Sequence, residues 1–325
     1  MVLVVDKPVG PTSFAVVRQV RHAAGVRRVG HGGTLDPLAS GVLPVCLGEA
    51  TKLAPFLLGA DKEYEVTIRF GVETDTDDAD GAVTSTRDAS AVSAELVRDA
   101  LAQFRGAIEQ VPPAYAAIKR DGRPLYAYAR AGEVIEVAPR PVVIHALELL
   151  HFGGPEDARL HVHCSKGTYV RALARDLGRR LGVGGHVTAL RRTRSGPFSL
   201  LQARPLPEIL EALGRQAQSA ESSSELLLVS LSAALRFLPQ HRVDEALARD
   251  LRAGKRVAWE TATAGSTDPR VCLLDPAGDL IAVAEPRPDK LVKTLRVFGA
   301  ATPADKPTAG PANSKTSQET AKKPS

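Results

Sequence analysis

From residue 64 to residue 70 apolar and polar side chains alternate without a break. No other stretch constrains the fold as strongly. Tyr64, Val66, Ile68 and Phe70 fall on one face of an extended segment, and Glu65, Thr67 and Arg69 on the other. A period of two is a half-buried strand, so the chain must build a sheet with one covered face. A cover is legible further on. Val170, Leu173, Leu177 and Leu181 form the apolar seam of a helix that Thr168 opens and that ends near Gly182. Arg171, Arg175 and Arg179 recur at four-residue spacing on another face of the same helix. Strands are also expected at 2–5, 142–150, 159–165 and 186–192. Thr12 or Ser13 caps a helix with Phe14, Val17 and Val20 inward, stopped by Gly25. Ser93 caps another, with Leu96, Val97, Ala100, Leu101 and Phe104 on one side, ended by Gly106.

The remaining stretches read as connections and domain limits. Residues 29–50 are rich in Gly, Pro and small side chains and read as a tight loop. An acidic turn at 73–81 is expected to face solvent. Residues 111–140 read as a long exposed excursion with short strands at its ends. At 325 residues there is room for two domains, at about 150 residues each. The first is expected at 1–225, although 211–225 has the composition of a linker, and a linker region is placed at 226–237. A small mostly-β domain at 238–299 follows, with strand-like pieces at 271–274, 280–283 and 295–298. Residues 300–325 carry no large apolar side chain and read as disordered.

Composition excludes several classes. Cys46, Cys164 and Cys272 lie far apart with no histidine at ligand spacing, which argues against a zinc site and a disulfide scaffold. The apolar run at 2–5 ends too early for a signal peptide, and no stretch reaches the ~18 apolar residues of a membrane helix. A cytoplasmic protein is expected. Net charge is only +5, but it is unevenly spread. Residues 7–31 hold five Lys or Arg and no acid, 166–204 hold nine against Asp176 alone, and 61–80 hold eight acids against two bases. Arginine makes up 30 of the 42 basic residues, the type suited to phosphate forks and base stacking. Each basic segment is read either as a solvated face or as contact with a polyanion.

The chemistry is expected in the segment Gly30-His31-Gly32-Gly33-Thr34-Leu35-Asp36-Pro37-Leu38-Ala39-Ser40-Gly41-Val42-Leu43-Pro44. Asp36 is its only acid. The surrounding glycines allow close approach of a ligand, and Pro37 pins the chain behind the carboxylate. Such a carboxylate acts as nucleophile or base, or else serves as a cap or turn residue. The acidic run at 75–81 fails as a calcium loop, because setting Gly81 at the sixth position puts Thr76 first and Arg87 last. There is no Gly-x-x-x-x-Gly-Lys phosphate loop.

The His31–Pro44 segment resembles the catalytic motif of the TruB family, the bacterial tRNA pseudouridine-55 synthases. Further matches fall in the same order. They are Val5-Asp6-Lys7-Pro8 with Gly10, Thr12 and Ser13; Leu47-Gly48-Glu49-Ala50-Thr51-Lys52; Lys62-Glu63-Tyr64; and the Thr74 to Gly81 run. Next come Gln110-Val111-Pro112-Pro113-Ala114-Tyr115-Ala116-Ala117-Ile118-Lys119 with Gly122 and Tyr126, then Cys164 to Arg171, and Leu190 to Phe198. The resemblance is strong to about residue 204 and weak beyond it.

The resemblance implies an α+β pseudouridine synthase fold, a mixed and mainly antiparallel sheet flanked by helices, with a small C-terminal β domain like PUA. It implies isomerisation of the T-loop uridine U55 of tRNA. Asp36 attacks the nucleoside, either by adding to the anomeric carbon or by assisting glycal formation. Either route needs an ionised carboxylate, the ordinary state of aspartate at neutral pH. Arg171 pairs with that carboxylate, and Tyr64 stacks on the uracil. Leu190 packs by the flipped base, His31 helps open the RNA loop, and Tyr169 and Lys7 support the pocket. No metal, redox cofactor or ATP is implied. The partner is the T-stem loop of tRNA, gripped by the 111–140 excursion, with no membrane and a monomeric enzyme. Two other readings share these features: an RNA-binding module without catalysis, and the guide-RNA-dependent relatives of archaea and eukaryotes.

Overall fold

In this computed structural model the described residues are 1–133, 135–218, 228–258, 269–289 and 291–299. The chain enters through β1 (Val2–Lys7) and α1 (Ser13–Ala24). Thr12 caps α1 by accepting from the Ala15 amide, and Gly25 closes it in the left-handed conformation. Val16, Val17 and Val20 are buried, but Phe14 faces solvent, one turn off the apolar stripe expected for it. The segment read as a loop at 29–50 contains β2 (Val29–His31) and β3 (Ala39–Leu47), so only the residues between them are loop. A short tight helix at 48–53 and α2 (Ala54–Leu58) lead into β4 (Lys62–Phe70), whose alternation is as read.

The hairpin β5 (Val72–Thr74) and β6 (Val83–Thr86) encloses the acidic turn. Asp77 and Asp78 in that turn are buried, which corrects the solvent-facing reading. Ser93 caps α3 (Ala94–Leu101), on which Leu96 is exposed rather than inward. After β7 (Gly106–Gln110) the excursion carries β8 (Lys119–Arg120), β9 (Arg123–Pro124) and a helix, α4 (Leu125–Arg130). The chain then runs through β10 (Arg140–Phe152), β11 (Ala158–Cys164), α5 (Val170–Arg180) and β12 (Gly185–Ser195).

Beyond the short strands β13 (Phe198–Ser199) and β14 (Arg204–Pro205), α6 (Leu206–Gln218) occupies residues read as linker. Its Leu206, Ile209 and Leu213 are buried against the core, an amphipathic spacing that the polar residues after 214 obscured. The region placed as a linker at 226–237 is also structured where described. β15 (Leu228–Val229) pairs with β1, and α7 (Leu231–Ala234) follows. The rest of the presumed linker, 219–227, and the tail at 300–325 lie outside the described residues. β16 (Gln240–Arg242), α8 (Glu245–Arg252), β17 (Val271–Leu274), β18 (Leu280–Pro286) and β19 (Val292–Val297) complete the chain.

One large sheet runs β14-β1-β3-β12-β4-β11-β10-β7, with β2, β13 and β15 paired beside it. Only β1–β14 and β3–β12 are parallel among its described pairs, so the sheet is mixed and mainly antiparallel. Residues of α1, α3, α5 and α6 cover one face, packing on Leu3, Val5, Leu43, Val66 and Ile68. A second sheet, β16-β17-β18-β19, is the small C-terminal β domain. Its Cys272, Leu280 and Val283 share a second core with Val2, Val4, Val42 and Phe56.

Candidate active site

Parallel pairing sets the centre of the site. β12 aligns Leu190 with Ala39 and Arg192 with Gly41, and on its other side pairs Arg192 with Tyr64 of β4. The loop that carries Asp36 ends where β3 begins, so it lies beside these residues. Gly41 is required there. Its φ is +101°, and a Cβ would sit 2.2 Å from the Arg192 carbonyl oxygen.

Three buried side chains hold the loop from beneath. Ser13 Oγ accepts from the Leu35 amide at 2.8 Å and donates to the Leu35 carbonyl at 2.9 Å. Lys7 Nζ donates to the carbonyls of Ala39 at 2.6 Å, Pro8 at 2.9 Å and Pro37 at 3.4 Å. Burial brings its ammonium down to about 8, while Asp36 pulls it upward. Arg192 donates to Val42 at 2.8 Å and to Gly33 and Thr34 at 3.1 Å each. With its backbone pinned, the Asp36 side chain projects, 41% exposed, toward Arg171 Nη2 at 3.0 Å.

Arg171 does not belong to a solvated stripe. It is buried, and besides Asp36 it meets Asp78 at 3.4 Å and donates to the carbonyls of Thr76 at 2.8 Å and Tyr115 at 3.1 Å. One turn on, Arg175 pairs with Asp77 at 3.0 Å, and one turn further Arg179 pairs with Glu73 at 2.9 Å. The helix's four-residue arginine spacing is therefore matched by acids of the β5–β6 hairpin. That ladder orients the guanidinium facing Asp36.

Around Asp36 opens a cleft of about 260 Å³. Tyr64, Tyr169, Arg171 and Leu190 line it together with Asp36, as do Lys62, Tyr115 and Arg192, motif residues to which the sequence assigned no role. Burial raises the Tyr64 phenol above its usual range, against the pull of the neighbouring Arg192 guanidinium. Tyr169 precedes α5 and is fixed by Gln110, which accepts from its amide at 2.8 Å and donates to its carbonyl at 3.1 Å. Two expected residues are not among the cleft's lining. Lys7 lies wholly buried under the loop, where its three carbonyl contacts make it a support for Asp36's backbone. His31 stands at the loop's start and accepts from the Gly33 amide at 3.4 Å; burial, then Arg192, lowers its imidazole below the usual range. The arginine beneath the loop could have been found by alternation, since Leu190 and Arg192 are two apart on one strand.

Residues 21–170 match the TruB family pseudouridylate synthase N-terminal domain, and residues 171–237 the tRNA pseudouridylate synthase B C-terminal domain. The tRNA pseudouridine synthase B of Aromatoleum aromaticum is 50% identical over 264 residues, covering 81% of this chain and 83% of that one. That of Burkholderia pseudomallei is 45% identical over 301 residues, 90% of this chain and 97% of its own. The chain belongs to the TruB family. It is accordingly a pseudouridine synthase, an isomerase. The fold agrees: the structure of a Cbf5-Nop10-Gar1 complex superposes with a TM-score of 0.73 at 27% identity, over 94% of this chain and 86% of that one. An H/ACA RNP bound to a substrate RNA containing 2'-deoxyuridine gives a TM-score of 0.71 at 25% identity, over 92% and 85%. No described helix of this TruB family member is long and apolar enough to cross a membrane.

Proposed function

We propose that this enzyme converts the T-loop uridine U55 of tRNA to pseudouridine, with Asp36 as the group that attacks the nucleoside. One observation carries the reading. A half-exposed carboxylate, 3.0 Å from a buried guanidinium, opens into a cleft walled by a tyrosine ring and a leucine. The substrate class rests on relatives called tRNA pseudouridine synthase B that are 45% to 50% identical over most of the chain.

A base stacked in an RNA loop must leave the stack before its glycosidic bond can be reached. Tyr64 offers a ring for it to stack on, and Leu190 an apolar wall that excludes water. Arg171 pairs with the Asp36 carboxylate and aims it at the sugar. The N1–C1′ bond breaks, the uracil stays in the cleft and turns, and a C5–C1′ bond forms. C5 loses its proton and N1 gains one, so composition is unchanged. Tyr169 supports the wall, Lys7 supports the loop, and His31 works at the RNA entrance. Tyr115, Ala116 and Ala117 bring the 111–140 excursion to the cleft rim, where it grips the T-stem loop. Residues 1–225 carry the catalysis, and the C-terminal sheet serves as a PUA-like module that holds RNA. The enzyme works as a monomer in the cytoplasm.

The test is incubation of the purified protein with unmodified tRNA transcript and no guide RNA, followed by mapping of modified positions. Pseudouridine at U55 is expected. Asp36→Asn is expected to lower turnover by about 10⁴-fold while tRNA binding persists. Modification elsewhere, a need for guide RNA, or an active Asp36→Asn variant would each overturn the reading.

A further inference from the structure

The cysteine pattern gave no reason to expect a metal, but cysteine spacing cannot report on residues that only folding brings together. Asp61, His145 and His163 place a carboxylate oxygen and two imidazole nitrogens all within 4.8 Å of one another. They come from three neighbouring strands: Asp61 directly precedes β4, His163 lies near the end of β11, and His145 lies in β10. A bulge sets their presentation. β10 pairs Ile144 with Cys164 and Ala146 with His163, which leaves His145 as the extra residue. Ile144 before it and Leu147 two residues on go to the core, and His145 is exposed beside His163. Bulges commonly re-aim a side chain in this way at working sites.

The spacing suits a small transition ion. Asp61 Oδ2 is 3.3 Å from His145 Nε2 and 3.9 Å from His163 Nε2. The two rings are tilted by 46° with centroids 4.7 Å apart. In a tetrahedral zinc site with bonds of about 2.0–2.1 Å, adjacent donor atoms stand roughly 3.3–3.4 Å apart. The first spacing is already met, the second closes by about half an ångström, and the two imidazole donors, within 4.8 Å of one another, close by at most about 1.5 Å. Arg194 Nη2 faces His163 Nε2 at 3.2 Å, but this arginine is also committed to Glu63 through its Nε at 2.9 Å and Nη2 at 2.5 Å. It retains those bonds if His163 turns its lone pair to a metal.

We propose that Asp61, His145 and His163 bind one divalent ion of the zinc class, with water completing its coordination. Two imidazoles and one carboxylate form a donor set suited to zinc and not to calcium or magnesium. The ion ties the start of β4 and the end of β11 to the middle of β10. Lys62 follows Asp61, and Ser165 lies just beyond His163; both line the cleft, so the ion stiffens the wall behind it.

The test uses untagged full-length protein stripped with a chelator and titrated separately with Zn²⁺ and Co²⁺. One equivalent should bind saturably, with the intense visible bands of four-coordinate Co²⁺ and a rise in thermal midpoint on adding Zn²⁺. His145→Ala and His163→Ala should each weaken binding by about tenfold or more. His151→Ala, which removes a histidine that pairs with Asp157 at 3.6 Å, should leave it unchanged. All three side chains are at least a quarter exposed, so the variants keep the fold. A Kd of about 100 µM or weaker for the parent protein overturns the proposal. So does affinity that survives both His145→Ala and His163→Ala, or that falls with His151→Ala.

Discussion

Arg192 has almost no exposed surface, wedged between the loop that carries Asp36 and the ring of Tyr64. Its guanidinium is the donor for three main-chain carbonyls, at Gly33, Thr34 and Val42. A carbonyl left unpaired in such a place costs about 1–3 kcal/mol. Arg192→Met should therefore lower unfolding stability by about 3 kcal/mol or more, read as a fall in the urea midpoint. It should also cut turnover, because Asp36 rides on the loop those bonds hold. An unchanged midpoint would mean that the carbonyls find other donors. Lys7 reaches the same loop from the other side with a single ammonium. At this scale the glycine-bound motif pointed to Asp36, the carboxylate that the structure places against Arg171 in the cleft. Through the resemblance the sequence also marked Lys7 as a support, but it gave Arg192 no role, because a buried cation's task is visible only once its carbonyl partners have been folded around it.

The pairing of α5 with the β5–β6 hairpin decides what the basic segment at 166–204 is for. Arg171, Arg175 and Arg179 meet Asp78, Asp77 and Glu73, Arg191 meets Asp6, and Arg194 meets Glu63. What stays exposed there is Lys166, Arg180 and Arg204, together with Arg179, which is paired with Glu73 but 60% exposed. Arg175→Ala strands the buried Asp77 carboxylate, a change expected to cost about 3–5 kcal/mol of stability. Its effect on RNA binding should be seen only through folding, so the salt dependence of tRNA affinity keeps its slope. Arg18→Ala or Arg21→Ala, on the exposed face of α1, should instead lower that slope by about 0.7–0.9 per lost phosphate contact, with no change in thermal midpoint. Binding titrations across a salt series separate the two outcomes.

Elements differed in legibility for a physical reason. β4 shows its alternation because one of its faces is polar, and α1 announces both ends through Thr12 and Gly25. β3 is buried on both faces, so its sequence carries no period of two. It also holds Pro44, paired opposite Val4, and Gly41 pressed against β12, residues that normally argue against a central strand.

At the scale of the molecule, the large sheet and the small C-terminal sheet share one apolar core, so the second is not an independent appendage. Val2, Val4 and Val42 contribute from the first, with Leu274, Leu280 and Val283 from the second. Polar bonds cross the same seam: Lys52 Nζ donates to the Val297 carbonyl at 3.0 Å, and the Gly299 amide donates to Glu49 at 3.2 Å. The residues read as linker are partly α6 and β15, and both belong to the first unit by packing. Cys46 and Cys272 lie in this shared core and report on its integrity. Burial pushes the Cys46 thiol up to about 12 and Cys164 up to about 11, so at pH 8 neither forms the reactive thiolate in the folded chain. The sign follows from linkage. An unfolded Cys46 ionises near its ordinary value of 9 while the folded one stays protonated. Its contribution to stability is therefore whole below that value and is lost as pH climbs toward about 12. A thiol reagent at pH 8 should label none of the three cysteines in the native protein and all three after denaturant unfolding. In intermediate denaturant Cys46 and Cys272 should be labelled at one common rate. Modification of Cys272 ahead of Cys46 would show the C-terminal sheet lifting away by itself, and the shared core would then be a contact between two folding units rather than the centre of one.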